Sequence, residues 1–145
     1  MRLAMASALA LVLLPLTAGC GHGQSYCDKV TAHQSELGSI AGDGDRTALL
    51  QALPILEDLE GSAPDDVAED WQLLVTRIRA LETTLRNADV DPATYDPSHP
   101  PADLSDADVA AIRRAAAQLA ATDTRGAISQ VQQEVLDVCH TPLEL

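Results

Sequence analysis

The amino-acid sequence predicts an all-α domain, a small bundle of four to five helices. Apolar residues recur every three or four positions in several separate stretches, as on the buried side of a helix. Glycine, proline and aspartate cluster between these stretches, where they favour turns. No stretch alternates apolar and polar residues in the manner of a half-buried strand.

The first two predicted helices each end at glycine. The first covers residues 26–40 and ends at the turn formed by residues 42–44, and the second covers residues 46–60 and stops at Gly61. Pro54 lies inside the second helix. Because proline lacks an amide proton and crowds the carbonyl four residues earlier, we expect a kink or a break there.

The third predicted helix has the most regular apolar pattern. Ser62 and Pro64 fit the N-cap and the first turn of a helix. Apolar residues then follow at alternating spacings of four and three, as on a central helix of a bundle. They are Val67, Trp71, Leu74, Ile78, Leu81 and Leu85.

A proline-rich connector at residues 87–103 precedes the last two predicted helices. Ser105 is the expected N-cap of the fourth helix, whose apolar side carries Ile112 and Leu119. Thr122 and Asp123 mark an expected break. The fifth helix carries the apolar series Ile128, Val131, Val135 and Cys139.

The first twenty residues have the pattern of an export signal. Arg2 gives a positive start, residues 3–16 are apolar, and small residues lead to Cys20. The apolar run is too short for a lasting membrane span. The segment resembles the signal peptide and lipobox of bacterial lipoproteins, in which the cysteine is lipidated and becomes the first residue of the mature protein. The alternative is an ordinary secretory signal cut near Gly19, which would leave Cys20 as a free thiol.

The resemblance implies a signal peptide at residues 1–19, a lipidated tether at 20–26 with palmitate on Cys20, and a helical domain at 27–145. Extended, this tether reaches at most about 25 Å. The alanine-rich, lysine-poor composition is similar to that of small uncharacterised lipoproteins of high-GC Gram-positive bacteria. This second resemblance implies anchoring on the outer face of the cell membrane and no known activity.

Cysteine parity predicts one disulfide bond. If lipid takes Cys20, Cys27 and Cys139 remain as a pair in an oxidising compartment. A bridge closing a loop of roughly 100 residues stabilises a fold by about 4.7 kcal/mol in the chain-entropy model. It would also bring the start of the first helix to the end of the last. We therefore expect the 87–103 connector to return along the flank of the bundle, although continuous fourth and fifth helices or a shorter first helix would satisfy the same constraint.

The negative net charge disfavours two kinds of partner. The chain has 22 acidic and 9 basic side chains and a formal net charge of −13 at pH 7. This excess disfavours binding to nucleic acid and docking on anionic lipid headgroups. Attachment to a membrane would therefore depend on the acyl chains.

The sequence predicts no metal site and no cofactor. We expect His33 to be a satisfied interior or boundary histidine, and His140 to close the last helix. His140 would approach Asp28 or His33 if the disulfide forms, but no histidine spacing typical of a metal site is present. Asp43 and Asp45, like the aspartates of the connector, do not fit a calcium loop, and we expect them to form turns.

The sequence contains no recognised catalytic motif: no glycine-rich phosphate loop, no Gly-x-Ser-x-Gly elbow and no zinc signature. We therefore predict a non-enzymatic binding or assembly module whose partner is another envelope or secreted protein. The alternative is a lipoprotein that binds a small ligand or a cation in a groove between helices, with Asp and His at its lip. An enzyme is the third hypothesis.

Overall fold

The computed structural model describes the backbone from residue 21 and the side chains from residue 25 onward. This part of the chain forms five helices and no strand, which confirms the predicted all-α bundle. The helices are α1 (Gly21–Gly42), α2 (Ala48–Glu60), α3 (Ala68–Asn87), α4 (Asp106–Leu119) and α5 (Thr122–Cys139). The predicted signal peptide and Cys20 lie outside the described residues. None of the helices from Gly21 onward is both long and apolar enough to span a bilayer.

The helices make four antiparallel passes. Lys29 near the start of α1 pairs with Asp58 near the end of α2, and α3 packs back against α2. The last pass consists of α4 and α5 in series. Leu85 near the end of α3 lies with Ile112 of α4, whereas Arg77, farther towards the start of α3, pairs with Asp123 at the start of α5.

A disulfide bond joins Cys27 to Cys139, as predicted, with an S–S distance of 2.03 Å and a Cα–Cα distance of 5.1 Å. We call this end of the bundle the disulfide pole. The opposite end, where α1 and α3 finish and α2 and α4 begin, is the distal pole.

The expectation that the connector returns along the flank is wrong. Because α4 and α5 run in series, they bring the chain back to the disulfide pole by themselves. The connector instead packs across the distal pole. There Arg46, just before α2, donates a hydrogen bond from Nη1 to the carbonyl oxygen of Tyr95 at 3.1 Å.

Two apolar clusters stabilise the bundle. The main core lies between α1, α2, α3 and α5 and is centred on Trp71, which is fully enclosed. The distal cluster consists of Leu85, Tyr95 and Ile112, with α3, the connector and α4 each contributing one residue. Each predicted helix supplies residues of its apolar series to one of these clusters.

Several helix boundaries differ from the predictions. α1 begins at Gly21, so residues 21–26 of the predicted tether are helical and reach less far than the extended limit. A helix rises about 1.5 Å per residue, against roughly 3.3 Å for extended chain, which shortens this segment by half. α2 continues through Pro54 without the break that was one expectation, and the proline side chain is exposed.

The expected serine caps behave differently from one another. Ser62 does not cap α3, which begins at Ala68; its hydroxyl instead donates to the carbonyl oxygen of Leu59 at 3.2 Å, at the end of α2. Ser105 caps α4 as predicted, since its Oγ accepts from the amide of Asp108 at 3.1 Å. A polar side chain between two helices can form its hydrogen bond with the unpaired backbone groups of either helix terminus.

Candidate ligand pocket at the distal pole

A cavity of about 480 Å³ opens at the distal pole, and we call it the distal pocket. It lies between the start of α2, the end of α3, the connector and α4. This volume falls within the range of about 300–1,000 Å³ that is typical of small-molecule sites. Most of its lining is apolar, including Leu50, Leu81, Leu85, Pro92, Ile112 and Ala116.

The alanine-rich sequence of α4 explains why space remains here. Leu81 and Leu85 continue the apolar side of α3 beyond the level at which α5 begins, so α4 takes the place of α5 beside this half of α3. Along α4 the pocket lining includes Ala116, and the neighbouring buried position is Ala115. Because an alanine side chain ends at Cβ, α4 fills less of the interhelical space than a leucine-rich helix would.

Two guanidinium groups border the pocket, Arg46 from the start of α2 and Arg113 from α4. Each holds the connector through a carbonyl oxygen: Arg46 through Tyr95 at 3.1 Å, and Arg113 through its Nη2 and Pro97 at 3.5 Å. From residue 25 onward, no carboxylate oxygen lies within 4.0 Å of either group. The basic side chains that do form ion pairs with carboxylates are Lys29, Arg77, Arg79 and Arg86.

Tyr95 lines the pocket and also lines a second cavity of about 350 Å³ formed by the end of α3 and the connector. The residue is only 9% exposed, and its hydroxyl group is buried without a hydrogen-bond partner among the described residues. Leaving a buried polar group unpaired costs about 1–3 kcal/mol. The distal pole thus combines open volume with an unsatisfied polar atom.

The aspartates that invited a calcium hypothesis form turns, as predicted. Asp45 Oδ1 accepts from the amide of Thr47 at 2.7 Å, and this hydrogen bond lowers the pKa of Asp45. In the connector, Asp91 accepts from the amide of Ala93 at 2.9 Å. Asp96 pairs with His99 at 3.0 Å, and this contact is the main reason that the pKa of Asp96 is lowered.

His33 is a satisfied boundary residue, as predicted. It is partly exposed, and its Nε2 lies 3.1 Å from Asp58 Oδ2. Lys29 Nζ lies 2.6 Å from the other oxygen of the same carboxylate, and hydrogen bonds from Lys29 and then His33 lower the pKa of Asp58. His140 ends α5 as expected, in a left-handed conformation with φ 53°. Within the region whose side chains are described, no group of three potential ligands is placed to hold a metal ion.

No protein-family model, curated protein or solved structure matches this chain. The distal pocket was not predicted from the sequence, which suggested Asp and His at the lip of an interhelical groove. Arg46 and Arg113 lie there instead. These two residues are far apart in the sequence, and only the packing of α4 across α3 brings them to one cavity.

Proposed function

We propose that this protein is a membrane-anchored extracytoplasmic lipoprotein that binds a small, largely apolar molecule in the distal pocket and catalyses no reaction. The observation that carries the proposal is an apolar cavity of about 480 Å³ bordered by Arg46, Arg113 and Tyr95. An apolar cavity with a few polar groups at its edge is typical of a ligand site. It favours the small-ligand hypothesis over the protein-partner hypothesis.

A protein partner has less support. The large hydrophobic side chains exposed in the described part of the chain are Leu136, at 47%, and Val138, at 44%. Positions two apart on a helix point in different directions, so these side chains do not form one contiguous surface. A protein-docking site usually presents a larger apolar patch.

Anchoring through Cys20 would give the bundle a defined orientation. Gly21, the next residue, is the first of α1, and α1 starts on the side of the bundle that carries Cys27. An acylated Cys20 would therefore hold the disulfide pole near the bilayer. Since a helix of 22 residues is about 33 Å long, the distal pocket would face away from the lipid surface.

Ligand binding is tested with the mature chain and the apolar fluorophore aminoanthracene. Ala116 and its neighbour Ala117 are both exposed, but only Ala116 lines the pocket. We expect Ala116→Trp to fill the cavity and abolish saturable binding, and Ala117→Trp to bind like the wild type. Circular dichroism would verify that both variants are folded. Absence of saturable binding to the wild type, or equal binding by both variants, would refute the proposal.

Anchoring is tested separately by mass spectrometry of the protein extracted from membranes. We expect the mature polypeptide to begin at Cys20 and to carry fatty acid there, and Cys20→Ala to release the domain from the membrane fraction. A mature chain without fatty acid at Cys20 would support the secretory alternative and contradict this part of the proposal.

A further inference from the structure

We infer that the ligand of the distal pocket is an anionic amphiphile, with an apolar body inside the cavity and a carboxylate or phosphate head bound by Arg46 and Arg113. This inference rests on the proposed function and specifies the chemistry of its ligand.

The distribution of basic side chains supports an anionic head. The protein is strongly acidic, with 22 acidic and 9 basic residues, so carboxylates are available to neutralise most cations. Lys29, Arg77, Arg79 and Arg86 are neutralised in this way. Arg46 and Arg113, like the exposed Arg114 and Arg125, have no carboxylate in contact, and of these four only Arg46 and Arg113 border the cavity of about 480 Å³. Two guanidinium groups without a carboxylate in contact, beside one cavity, favour an anionic group at its edge.

The hydrogen bonds of the two arginines position their side chains but use only some of their N–H donors. A guanidinium group has five N–H donors in a planar fork that matches carboxylate and phosphate oxygens. In the described structure Arg46 donates one hydrogen bond, to Tyr95, and Arg113 donates one, to Pro97. Both acceptors are main-chain carbonyls of the connector, which fix the side chains at the edge of the pocket. The remaining donors are available to a ligand head group.

The aspartates whose charges act on Arg46 do not form an ion pair in contact with it. Asp45 is occupied by Thr47, whose amide and hydroxyl donate to its Oδ1 at 2.7 and 2.9 Å. Asp96 accepts from the amide of Ser98 at 2.8 Å and pairs with His99. Hydrogen bonding is the main cause of the lowered pKa of each aspartate, and the charge of Arg46 adds a smaller contribution. Both carboxylates lie beyond 4.0 Å of the guanidinium, so ion pairing in contact with Arg46 remains open to a ligand.

These charges argue against other occupants. A cation would be repelled by Arg46 and Arg113, and a purely apolar molecule would gain nothing from their remaining donors, which are exposed and stay hydrogen-bonded to water. An acyl chain on Cys20 would begin next to Gly21, at the opposite end of α1 from the distal pole.

The test compares four ligands with the same alkyl chain by isothermal titration calorimetry of the full mature protein, below the micelle concentration. The ligands are dodecanoate, dodecyl phosphate, dodecanol and dodecylammonium. We expect at least one of the two anions to bind about ten-fold or more tightly than the alcohol, and the ammonium to bind most weakly. A preference between the anions identifies the head group as carboxylate or phosphate.

Arginine variants provide the matched control. Arg113→Gln should weaken binding of the preferred anion about ten-fold and leave dodecanol affinity unchanged. Arg114→Gln removes the same charge from the next position of α4, outside the pocket lining, and should bind every ligand like the wild type. If all four ligands bind equally and Arg113→Gln matches Arg114→Gln, the anionic inference is overturned while the proposed apolar site stands. If no ligand binds, the proposed function fails as well.

Discussion

Tyr26 in the main core and Tyr95 in the distal cluster are both buried, but only Tyr26 has a partner for its hydroxyl group. Tyr26 Oη accepts from Trp71 Nε1 at 2.9 Å, and the two rings meet edge to face with centroids 6.4 Å apart. The Tyr95 hydroxyl has no partner in the described residues, and the residue lines two cavities. Arg77 lies where α3 passes from the main core to the distal pole. Its Nε is also buried and has no hydrogen-bond partner among the described residues.

This contrast separates a region that stabilises the fold from a region that retains unused volume. The main core receives large side chains from four helices and is tied together by the disulfide. The distal cluster combines the end of one helix, an alanine-rich helix and a connector rich in proline. Cavities and unpaired polar groups both reduce stability. A domain with a well-packed main core tolerates them at one end, and this is where we propose that a ligand binds.

The largest effect that we expect comes from the disulfide, which closes a loop with a sequence separation of 112. Replacing Cys27 and Cys139 together by serine should lower the free energy of unfolding by about 4–5 kcal/mol, because the unfolded chain regains the entropy of the open loop. Urea unfolding measures this loss. A melting curve unchanged by reductant would show that the bridge does not support the main core.

Leucine truncation compares the packing of the two regions directly. Leu74 is fully enclosed in the main core, whereas Leu85 lines the distal pocket. We expect Leu74→Ala to lower the free energy of unfolding by about 3 kcal/mol and Leu85→Ala by about 2 kcal/mol. The second loss is smaller because a side chain beside a cavity has fewer packing partners to lose. Equal losses in urea unfolding would contradict the distinction between the regions.

Replacing each tyrosine by phenylalanine isolates the two hydroxyl groups. Tyr26→Phe leaves the indole N–H of Trp71 without its acceptor and should cost about 1–3 kcal/mol. Tyr95→Phe removes an unpaired polar atom, so the ligand-free protein should be as stable as the wild type or slightly more stable. Thermal unfolding of both variants checks the comparison. A clear destabilisation by Tyr95→Phe would indicate that its hydroxyl group is paired.

The same contrast explains what could be predicted from the sequence. The main core depends on local periodicity, so the apolar series of α3 identified Trp71, Leu74 and Ile78 as interior residues. The number of cysteines identified the Cys27–Cys139 bond, because assigning Cys20 to lipid leaves one pair however the helices pack. The helix ends were less predictable, since Ser62 lies between two helices and its sequence context does not determine which of them it serves.

The distal pocket could not be predicted because its residues have ordinary local roles. Ile112 and Leu85 belong to regular apolar series, and Pro92 and Pro97 are typical of a turn-rich connector. Their convergence depends on α4 and α5 forming one pass along α3. The sequence allowed this arrangement as an alternative, but we expected the connector to lie along the flank. A cavity is a property of packing between distant segments, and no spacing pattern along the chain encodes it.

The smallest effect concerns pH and the buried hydroxyl group of Tyr26. Burial raises the pKa of Tyr26 to about 12, from an ordinary value near 10, although the hydrogen bond from Trp71 partly opposes this change. A raised pKa in the folded state means that the neutral phenol stabilises the fold fully below about pH 10, and that this contribution is lost as pH rises towards about 12. The wild type should therefore lose stability over this interval more steeply than Tyr26→Phe. Urea midpoints of the two proteins measured across the interval test this expectation, because they share every other titratable group. Parallel loss in both proteins would show that Tyr26 ionises equally well in the folded and unfolded chains, and that the main core does not exclude water from its hydroxyl group.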